Sequence, residues 1–349
     1  MPCRLSAATS DPISFGIPRS DLLAPSVGTV NIAVLFADFP DVPTARSVED
    51  VWSIFDGTTA RFYRDNSYGR LELNYTPHLA WLDMSQPSAY YGEALRDGEL
   101  HRQFIQEAVT LADPVVDFGP FDLVLVVSNP LASAIPYGPV FVSDDPSYGI
   151  AADGRIFTTS VTSGYDLNHW GAIWLAHEMG HTMAMPDLYA FEGADNLRFT
   201  GQFSIMGDIA GASPELFAFE RWRLGWLDHA QIACHQSGSA QFTLSPIETP
   251  GGLKAAVVPL DSNRVLVVES RRALGFDSGM PVEGAVVYLV DGSVPSGFGP
   301  LVVAPGADAG PLKSQAPLTA GESYRHASVT VTVVAAGPHG DTVEVSVDP

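Results

Sequence analysis

The sequence predicts an α+β protein in which a mixed first part precedes a β-rich second part. Two apolar runs in the first part, residues 30–36 and 121–127, have the composition of buried strands. Between them, residues 48–63 and 99–112 carry apolar side chains at helical spacing, and the second segment ends just before Pro114. Strand-like and helix-like segments therefore alternate, which indicates a mixed sheet with helices packed against it.

The second part of the chain changes character after Gln241. Short β-branched runs separated by Gly and Pro, with no convincing helix, are typical of a β-sandwich. The predicted strands are residues 255–260, 264–269, 285–290, 301–304, 328–334 and 342–347. We therefore expect an N-terminal extension over residues 1–28, a mixed domain over 29–240 and a β-rich lobe over 241–349.

Charge and hydropathy exclude two classes of partner. The 349 residues include 18 Lys and Arg against 40 Asp and Glu, a formal net charge of −22. A nucleic-acid binder needs a basic face that releases counterions, so we expect no nucleic-acid partner. The longest apolar runs fall well short of the ~18 residues that cross a bilayer, so no membrane span is expected. The first ten residues show no signal peptide, and the sequence leaves the oligomeric state open.

Two cysteines, Cys3 and Cys234, are too few for a disulfide-rich scaffold or a four-cysteine zinc site. Three states of these residues remain open. The first is a single disulfide bridge between them, and the second is two free thiols. In the third, the Cys3 thiolate contacts a metal ion and keeps the protein inactive.

The most informative segment is residues 168–189, NHWGAIWLAHEMGHTMAMPDLY. Asn168 is a good N-cap, and the following apolar and small residues recur at helical spacing, which predicts one helix. His177 and His181 are four residues apart and therefore share one face of that helix. Glu178 lies about 100° further round.

This His-Glu-x-x-His arrangement is the signature of a zinc hydrolase. Two neutral imidazoles bind zinc, the metal lowers the pKa of its bound water, and the glutamate accepts the proton as that water attacks a carbonyl. We therefore predict His177 and His181 as metal ligands, Glu178 as the general base and Zn²⁺ as the cofactor.

A catalytic zinc site needs a third protein ligand and an open fourth position. Pro186 cannot continue the helix and disfavours the α conformation at Met185, so the chain must turn just after Ala184. Asp187, six residues past His181, can then return to the metal. We predict Asp187 as the third ligand. If Asp187 only braces the turn, Glu215 and Glu220 on a later predicted helix are the alternatives.

Further motifs lie outside this segment. They are residues 63–69 (YRDNSYG), 203–207 (FSIMG), 220–227 (ERWRLGWL), 268–272 (VESRR) and 275–277 (GFD). Together with His-Glu-Met-Gly-His-Thr and Pro-Asp-Leu-Tyr, they resemble the immune inhibitor A group of secreted bacterial metallopeptidases, in the same order. The resemblance implies a zincin-like catalytic domain over residues 29–240 and makes Met206 a structural floor beneath the metal, since a thioether suits softer metals than zinc.

One position departs from the family pattern. Ala184 stands where relatives usually have Gly, and Ala costs about 1 kcal/mol if a positive-φ turn is kept there. The propeptide and signal that accompany secretion in the family are also not visible in this sequence.

Transition-state stabilisation requires a donor about 3 Å from the reacting oxygen. Tyr189 is the preferred candidate, because it follows the expected third ligand by two residues. Tyr68, Tyr165 and His169 are alternatives.

Acidic loops raise the question of a calcium site. The candidate residues are Asp38, Asp41, Glu192, Asp195 and Asn196. Their spacing is not that of an EF-hand loop, so these loops either hold Ca²⁺ or are simply solvated.

These observations predict a zinc-dependent endopeptidase that acts on proteins or peptides and, by the resemblance, is secreted. One alternative is a catalytically silent relative that binds proteins or polymers. Another is a zinc amidase acting on a non-protein amide. The intact His-Glu-x-x-His set favours an enzyme.

Overall fold

The computed structural model describes residues 3–6, 12–44, 46–55, 57–304, 309–310 and 312–348. The chain divides into two compact units that alternate along the sequence. The α/β unit consists of Ser20–Arg64 and Arg70–Met183, and the sandwich unit consists of Met1–Arg19, Asp65–Gly69 and Ala184–Pro349. The domain boundaries predicted from composition stay predictions.

The α/β unit contains the first seven strands and the first six helices of the described chain, except the last two residues of α2. In chain order they are β1 (Gly28–Asp38), α1 (Val48–Trp52), α2 (Thr58–Asn66), β2 (Leu71–Asp83), α3 (Ser88–Ala94), α4 (Gly98–Ala112), β3 (Leu123–Ser128), β4 (Val140–Val142), β5 (Ile150–Ala152), β6 (Arg155–Phe157), β7 (Thr159–Thr162), α5 (Leu167–Trp170) and α6 (Ala172–Thr182).

Five of these strands form a mixed sheet in the order β2, β1, β3, β7, β4. The pairs β1 with β2, β1 with β3 and β3 with β7 are parallel, and β4 runs antiparallel to β7. Helix α4 packs a buried stripe that includes Phe104, Ile105 and Ala108 into the same core as Leu35 of β1 and Val124 of β3. Strand β3 is buried throughout, which explains its uninterrupted apolar run.

Two helix predictions are wrong in detail. The segment 48–63 is not one helix, because a 3₁₀ turn at Ser53–Phe55 separates α1 from α2. Asn168 is not the N-cap of the histidine-bearing helix but lies inside the short helix α5. The next helix begins at Ala172, because Gly171 takes φ 62° and ψ −149° and interrupts the helical backbone.

The sandwich unit contains the remaining elements. They are α7 (Ala218–Arg223), β8 (Ile232–Cys234), β9 (Gly238–Leu244), β10 (Ala255–Pro259), β11 (Arg264–Arg271), β12 (Gly284–Asp291), β13 (Leu301–Ala304), β14 (Ser323–His326), β15 (Val329–Gly337) and β16 (Gly340–Val347). Across the described residues of both units, no helix has the combination of length and hydropathy needed to traverse a bilayer.

Two sheets account for the β-rich character of this unit. One has the strand order β13, β12, β11, β10, β8, and the other has the order β14, β15, β16, β9. Buried side chains of both sheets, among them Val268 and Val287 from the first and Val331 and Val343 from the second, share one apolar cluster. Each of the six predicted strands coincides with an observed one, and the two sheets form a sandwich.

The two cysteines pair with each other. Cys3 and Cys234 form a disulfide that connects positions 231 residues apart, and Cys3 is fully buried. The disulfide settles the three open states in favour of the bridge. A Cys3 thiolate on a metal ion is excluded, because the sulfur is already bonded to Cys234.

Candidate metal centre

Two buried histidines project from the same face of α6. His177 and His181 are one helical turn apart, so their side chains lie next to each other. Their Nε2 atoms are 3.2 Å apart, and the rings meet edge to face with centroids 4.9 Å apart. The side chains are only 4% and 6% exposed. The two imidazole nitrogens are therefore aimed at a common point that bulk water barely reaches.

Helix α6 is held from the side by α2. The Thr59 hydroxyl donates to the Ala172 carbonyl (3.0 Å), and the Tyr63 hydroxyl donates to the Ala176 carbonyl (2.5 Å). Tyr63 is fully buried. The second of these bonds meets the backbone of the residue just before His177, so part of the 63–69 motif positions the first histidine.

Glu178 is partly exposed, although the residues on either side of it are buried. The 100° step along a helix places Glu178 on a neighbouring part of the helix surface, one residue from His177. A partly exposed glutamate beside two buried imidazoles suits a base that acts on an incoming molecule.

The chain turns sharply after α6 at Ala184, which adopts φ 69°. Ala184 therefore adopts the left-handed conformation that favours glycine. The turn leads into Asp187, which is 9% exposed. Ser296 contacts Asp187 twice, accepting from its backbone N–H (2.8 Å) and donating to Oδ2 (3.2 Å).

The turn brings three candidate ligands together within eleven consecutive residues. One ligand atom from each of His177, His181 and Asp187 lies within 4.8 Å of the other two. Among the described residues, this is the group of histidine, cysteine and carboxylate side chains that meets that criterion. Two nitrogens and one carboxylate oxygen can coordinate a single metal ion.

Neither glutamate considered as an alternative ligand belongs to that group. Glu215 pairs with Arg221 (2.6 Å) and also accepts from the Phe276 backbone N–H. Glu220 is fully buried and accepts from the Phe217 backbone N–H (2.7 Å), and burial raises its pKa to about 7. Both carboxylates are occupied by structural hydrogen bonds.

Met206 lies beside the segment that carries Asp187. Its carbonyl accepts from the Leu188 N–H (2.9 Å), and its own N–H donates to the Ser204 hydroxyl (3.3 Å). Ser204 adopts φ 63° and in turn donates to Glu220 (3.1 Å). Glu220 therefore supports the turn before Met206, which is itself fully buried.

No family model matches the sequence, and no curated protein matches it. Metalloproteinase-II from Bacteroides fragilis aligns with 63% of this chain at 15% identity and a TM-score of 0.31. The alignment spans 59% of that protein, less than two thirds of its length.

A second solved structure is that of catalytic inactive OgpA from Akkermansia muciniphila in complex with an O-glycopeptide substrate, glycodrosocin. The alignment covers 86% of this chain and 95% of that chain, at 11% identity and a TM-score of 0.28. Both neighbours are similar at low TM-scores only, and neither assigns a fold or an activity to this chain.

The tyrosine and histidine candidates for transition-state stabilisation differ in their contacts and exposure. Tyr189 is partly buried with its ring 5.5 Å from that of Phe191. The Tyr68 hydroxyl donates to the Ile247 carbonyl (2.5 Å), so it is engaged inside the sandwich unit. Tyr165 is 47% exposed, and the His169 ring packs on Trp170. Tyr189 stays the preferred candidate, as a prediction, because it follows Asp187 by two residues.

Two of the calcium candidates are already hydrogen-bonded to distant segments of the chain. Asp38 accepts from the Asn129 side chain (2.7 Å), and Asp41 accepts from the Ser88 backbone and hydroxyl (2.7 and 2.8 Å). Within the part of the chain that the structure describes, neither these two nor Glu192 and Asp195 belong to a metal-binding group. The structure thus offers no support for the proposed calcium sites.

Sequence reasoning missed two features. Ser296 contacts Asp187 from 109 residues away, and no local pattern marks it. The 268–277 motifs were noted only as a resemblance, whereas the structure gives them a physical role. Arg271 pairs with Glu269 (2.7 Å) and Asp277 (2.6 Å), and all three side chains are fully buried.

Proposed function

We propose that this protein is a zinc-dependent endopeptidase in which His177, His181 and Asp187 bind the metal and Glu178 is the general base. The observation that carries the proposal is the convergence of ligand atoms from three buried residues, with the partly exposed Glu178 next to His177 on the same helix.

The donor set fits zinc. Zn–N bonds of 2.0–2.1 Å in a tetrahedral site imply about 3.3 Å between two ligand nitrogens. The observed Nε2 to Nε2 distance is 3.2 Å. Two histidines and one carboxylate are also a ligand set of catalytic zinc sites, which keep a fourth position for water or substrate.

When bound, zinc polarises a carbonyl oxygen and makes a water molecule more acidic. Glu178 then accepts a proton from the attacking water and passes it to the departing amine. His177 and His181 bind a metal ion through neutral imidazole nitrogens.

Two further features support an exported peptidase. The motifs that resemble the immune inhibitor A group belong to secreted enzymes, and they include the helix and turn that carry the proposed ligands. The Cys3–Cys234 disulfide suits an oxidising compartment, because such bonds are rare in reducing ones. We propose extracellular protein or peptide substrates on these grounds.

The test replaces Glu178 by Gln. We expect Glu178→Gln to lower the rate of casein cleavage by about 10²–10⁴-fold, the usual contribution of a general base. Zinc content by elemental analysis should remain one ion per chain, because Glu178 is not a ligand. Removal of zinc by a chelator should abolish cleavage, and one equivalent of zinc should restore it.

Glu49→Gln is the matched control, since Glu49 is an exposed glutamate on α1. It should cleave at the wild-type rate. A Glu178→Gln variant that cleaves as fast as wild type would contradict the role of Glu178 as general base. Stoichiometric zinc in a wild-type protein that cleaves no peptide in a broad library would favour a binding module instead.

A further inference from the structure

The side chain of Ser296 holds Asp187 at two points. Its hydroxyl oxygen accepts from the Asp187 backbone N–H at 2.8 Å, and the same hydroxyl donates to Asp187 Oδ2 at 3.2 Å. One hydroxyl thus connects the backbone and the carboxylate of the same residue. Both the position of the Asp187 main chain and the rotation of its carboxylate are constrained.

The loop that carries Ser296 is itself fixed to the chain on both sides of Asp187. The Gly297 N–H donates to the Asp187 carbonyl (3.0 Å), and the Phe191 N–H donates to the Gly297 carbonyl (3.1 Å). Gly297 adopts φ 76°, and a Cβ there would lie 2.3 Å from the Phe191 ring. Only glycine allows this close approach, so the loop is built to lie against residues 187–191.

We propose that Ser296 is a positioning residue that presets the Asp187 carboxylate for metal binding, an inference that rests on the proposed function. Hydrogen bonds from neighbouring residues orient metal ligands, and losing one typically costs 10–100-fold in metal affinity. Without Ser296, the carboxylate would have to be ordered each time the metal binds. Ser296 itself touches neither substrate nor reacting atoms in this role.

The test measures zinc affinity rather than activity. Zinc dissociation constants are determined by competition with a chromophoric chelator, in full-length protein that carries Glu178→Gln to prevent self-cleavage. In that background we expect Ser296→Ala to raise the zinc Kd by about 10–100-fold. Ser296→Thr keeps the hydroxyl and should bind nearly as tightly as the parent. Asp187→Ala, which removes the ligand, should lose more affinity than Ser296→Ala.

Ser293→Ala is the matched control. Ser293 is an exposed serine of the same loop, and its hydroxyl donates to Asp291. Its removal should leave the zinc Kd unchanged. If Ser296→Ala does not accumulate as folded protein, Ser296→Cys replaces it, because a thiol is a weaker donor and should give an intermediate loss.

The outcomes separate this inference from the proposed function. Tight zinc binding by the parent with equal affinity in Ser296→Ala overturns the role of Ser296 and leaves the zinc site standing. A lower midpoint of urea unfolding in metal-free Ser296→Ala with an unchanged zinc Kd also overturns it, because the serine would then only brace the loop. A parent that binds no zinc overturns both.

Discussion

Ala184 is the residue at which the chain turns away after helix α6, and it does so at φ 69°. An L-residue in this conformation costs about 1–2 kcal/mol, whereas glycine has no such penalty. Part of the gain from glycine is lost through its greater freedom in the unfolded chain. We therefore expect Ala184→Gly to raise the free energy of unfolding by about 1 kcal/mol, measured by urea denaturation of the metal-free protein.

Ala176→Gly is the natural control, because Ala176 lies inside α6 in ordinary helical conformation. It should lower the free energy of unfolding by about 1 kcal/mol or more. If both substitutions destabilise equally, the turn at Ala184 does not carry the strain assigned to it.

His101 gives the folded protein a pH dependence that is independent of the metal site. Its side chain is 4% exposed, it contacts the Thr162 hydroxyl (2.9 Å), and burial lowers its pKa to about 4 from the usual 6.5. In the unfolded chain His101 therefore binds a proton near pH 6.5, whereas in the folded chain it is protonated only at about pH 4. Stability from this residue is present above pH 6.5 and is lost as the pH falls to about 4.

The expected loss is about 3 kcal/mol, since each pKa unit corresponds to 1.36 kcal/mol. We expect the free energy of unfolding of wild type, relative to His101→Gln, to fall by about that amount between pH 7 and pH 4. Urea denaturation with chelator present measures it. His339→Gln, at an exposed position, should run parallel to wild type. A constant difference between wild type and His101→Gln across this range would refute the assignment.

At the scale of elements, apolar spacing predicted which segments are helices and strands but not where helices break. Asn168 resembles an N-cap, but the apolar spacing of this segment begins only at Ile173, and the histidine-bearing helix starts after Gly171. The helix prediction over residues 48–63 is wrong because a 3₁₀ turn lies between α1 and α2. The apolar residue Phe55 of that turn is still buried, so the apolar spacing does not show the break. Periodicity reports burial, and burial is unchanged when a helix is interrupted and resumed.

The turn after α6 could be predicted from the sequence because its causes are local. Pro186 stops α6, and the residues between His181 and Asp187 are too few to lead elsewhere. The contact of Ser296 with Asp187 could not be predicted, because it depends on the path of the β12–β13 connection. Contacts across long stretches of chain are set by packing, which no short pattern encodes.

The buried arginine of β11 ties that strand to the 3₁₀ turn Gly275–Gly279. Arg271 lies between Glu269 and Asp277, with all three side chains fully buried. Removing the cation leaves two carboxylates buried without their partner. We expect Arg271→Met to lower the free energy of unfolding by about 3–5 kcal/mol, measured by urea denaturation at neutral pH.

The matched control is an ion pair at the surface. Arg325 pairs with Asp348 at 2.7 Å, but the side chains are 60% and 53% exposed. Arg325→Met should cost less than about 1 kcal/mol. Equal effects at the two sites would show that the Arg271 network is not a determinant of stability.

For the whole molecule, the charge of −22 is a property of the surface. Among the described residues, six cationic side chains are buried and six carboxylic side chains are buried. The interior is therefore formally balanced. The excess of acidic groups therefore faces solvent. Such a surface is consistent with the expectation that nucleic acid is not a partner, which stays a prediction.

The Cys3–Cys234 disulfide constrains more of the chain than any single contact, because it closes a stretch of 231 residues. In the chain-entropy description a bridge stabilises by restricting the unfolded state, and long loops gain most. We expect the double variant Cys3→Ser, Cys234→Ser to lose about 2–5 kcal/mol of unfolding free energy relative to the oxidised wild type, measured by urea denaturation. A reductant should bring wild type down to the level of the variant and leave the variant unaffected. Equal stability of oxidised and reduced wild type would show that the bridge does not constrain the unfolded chain.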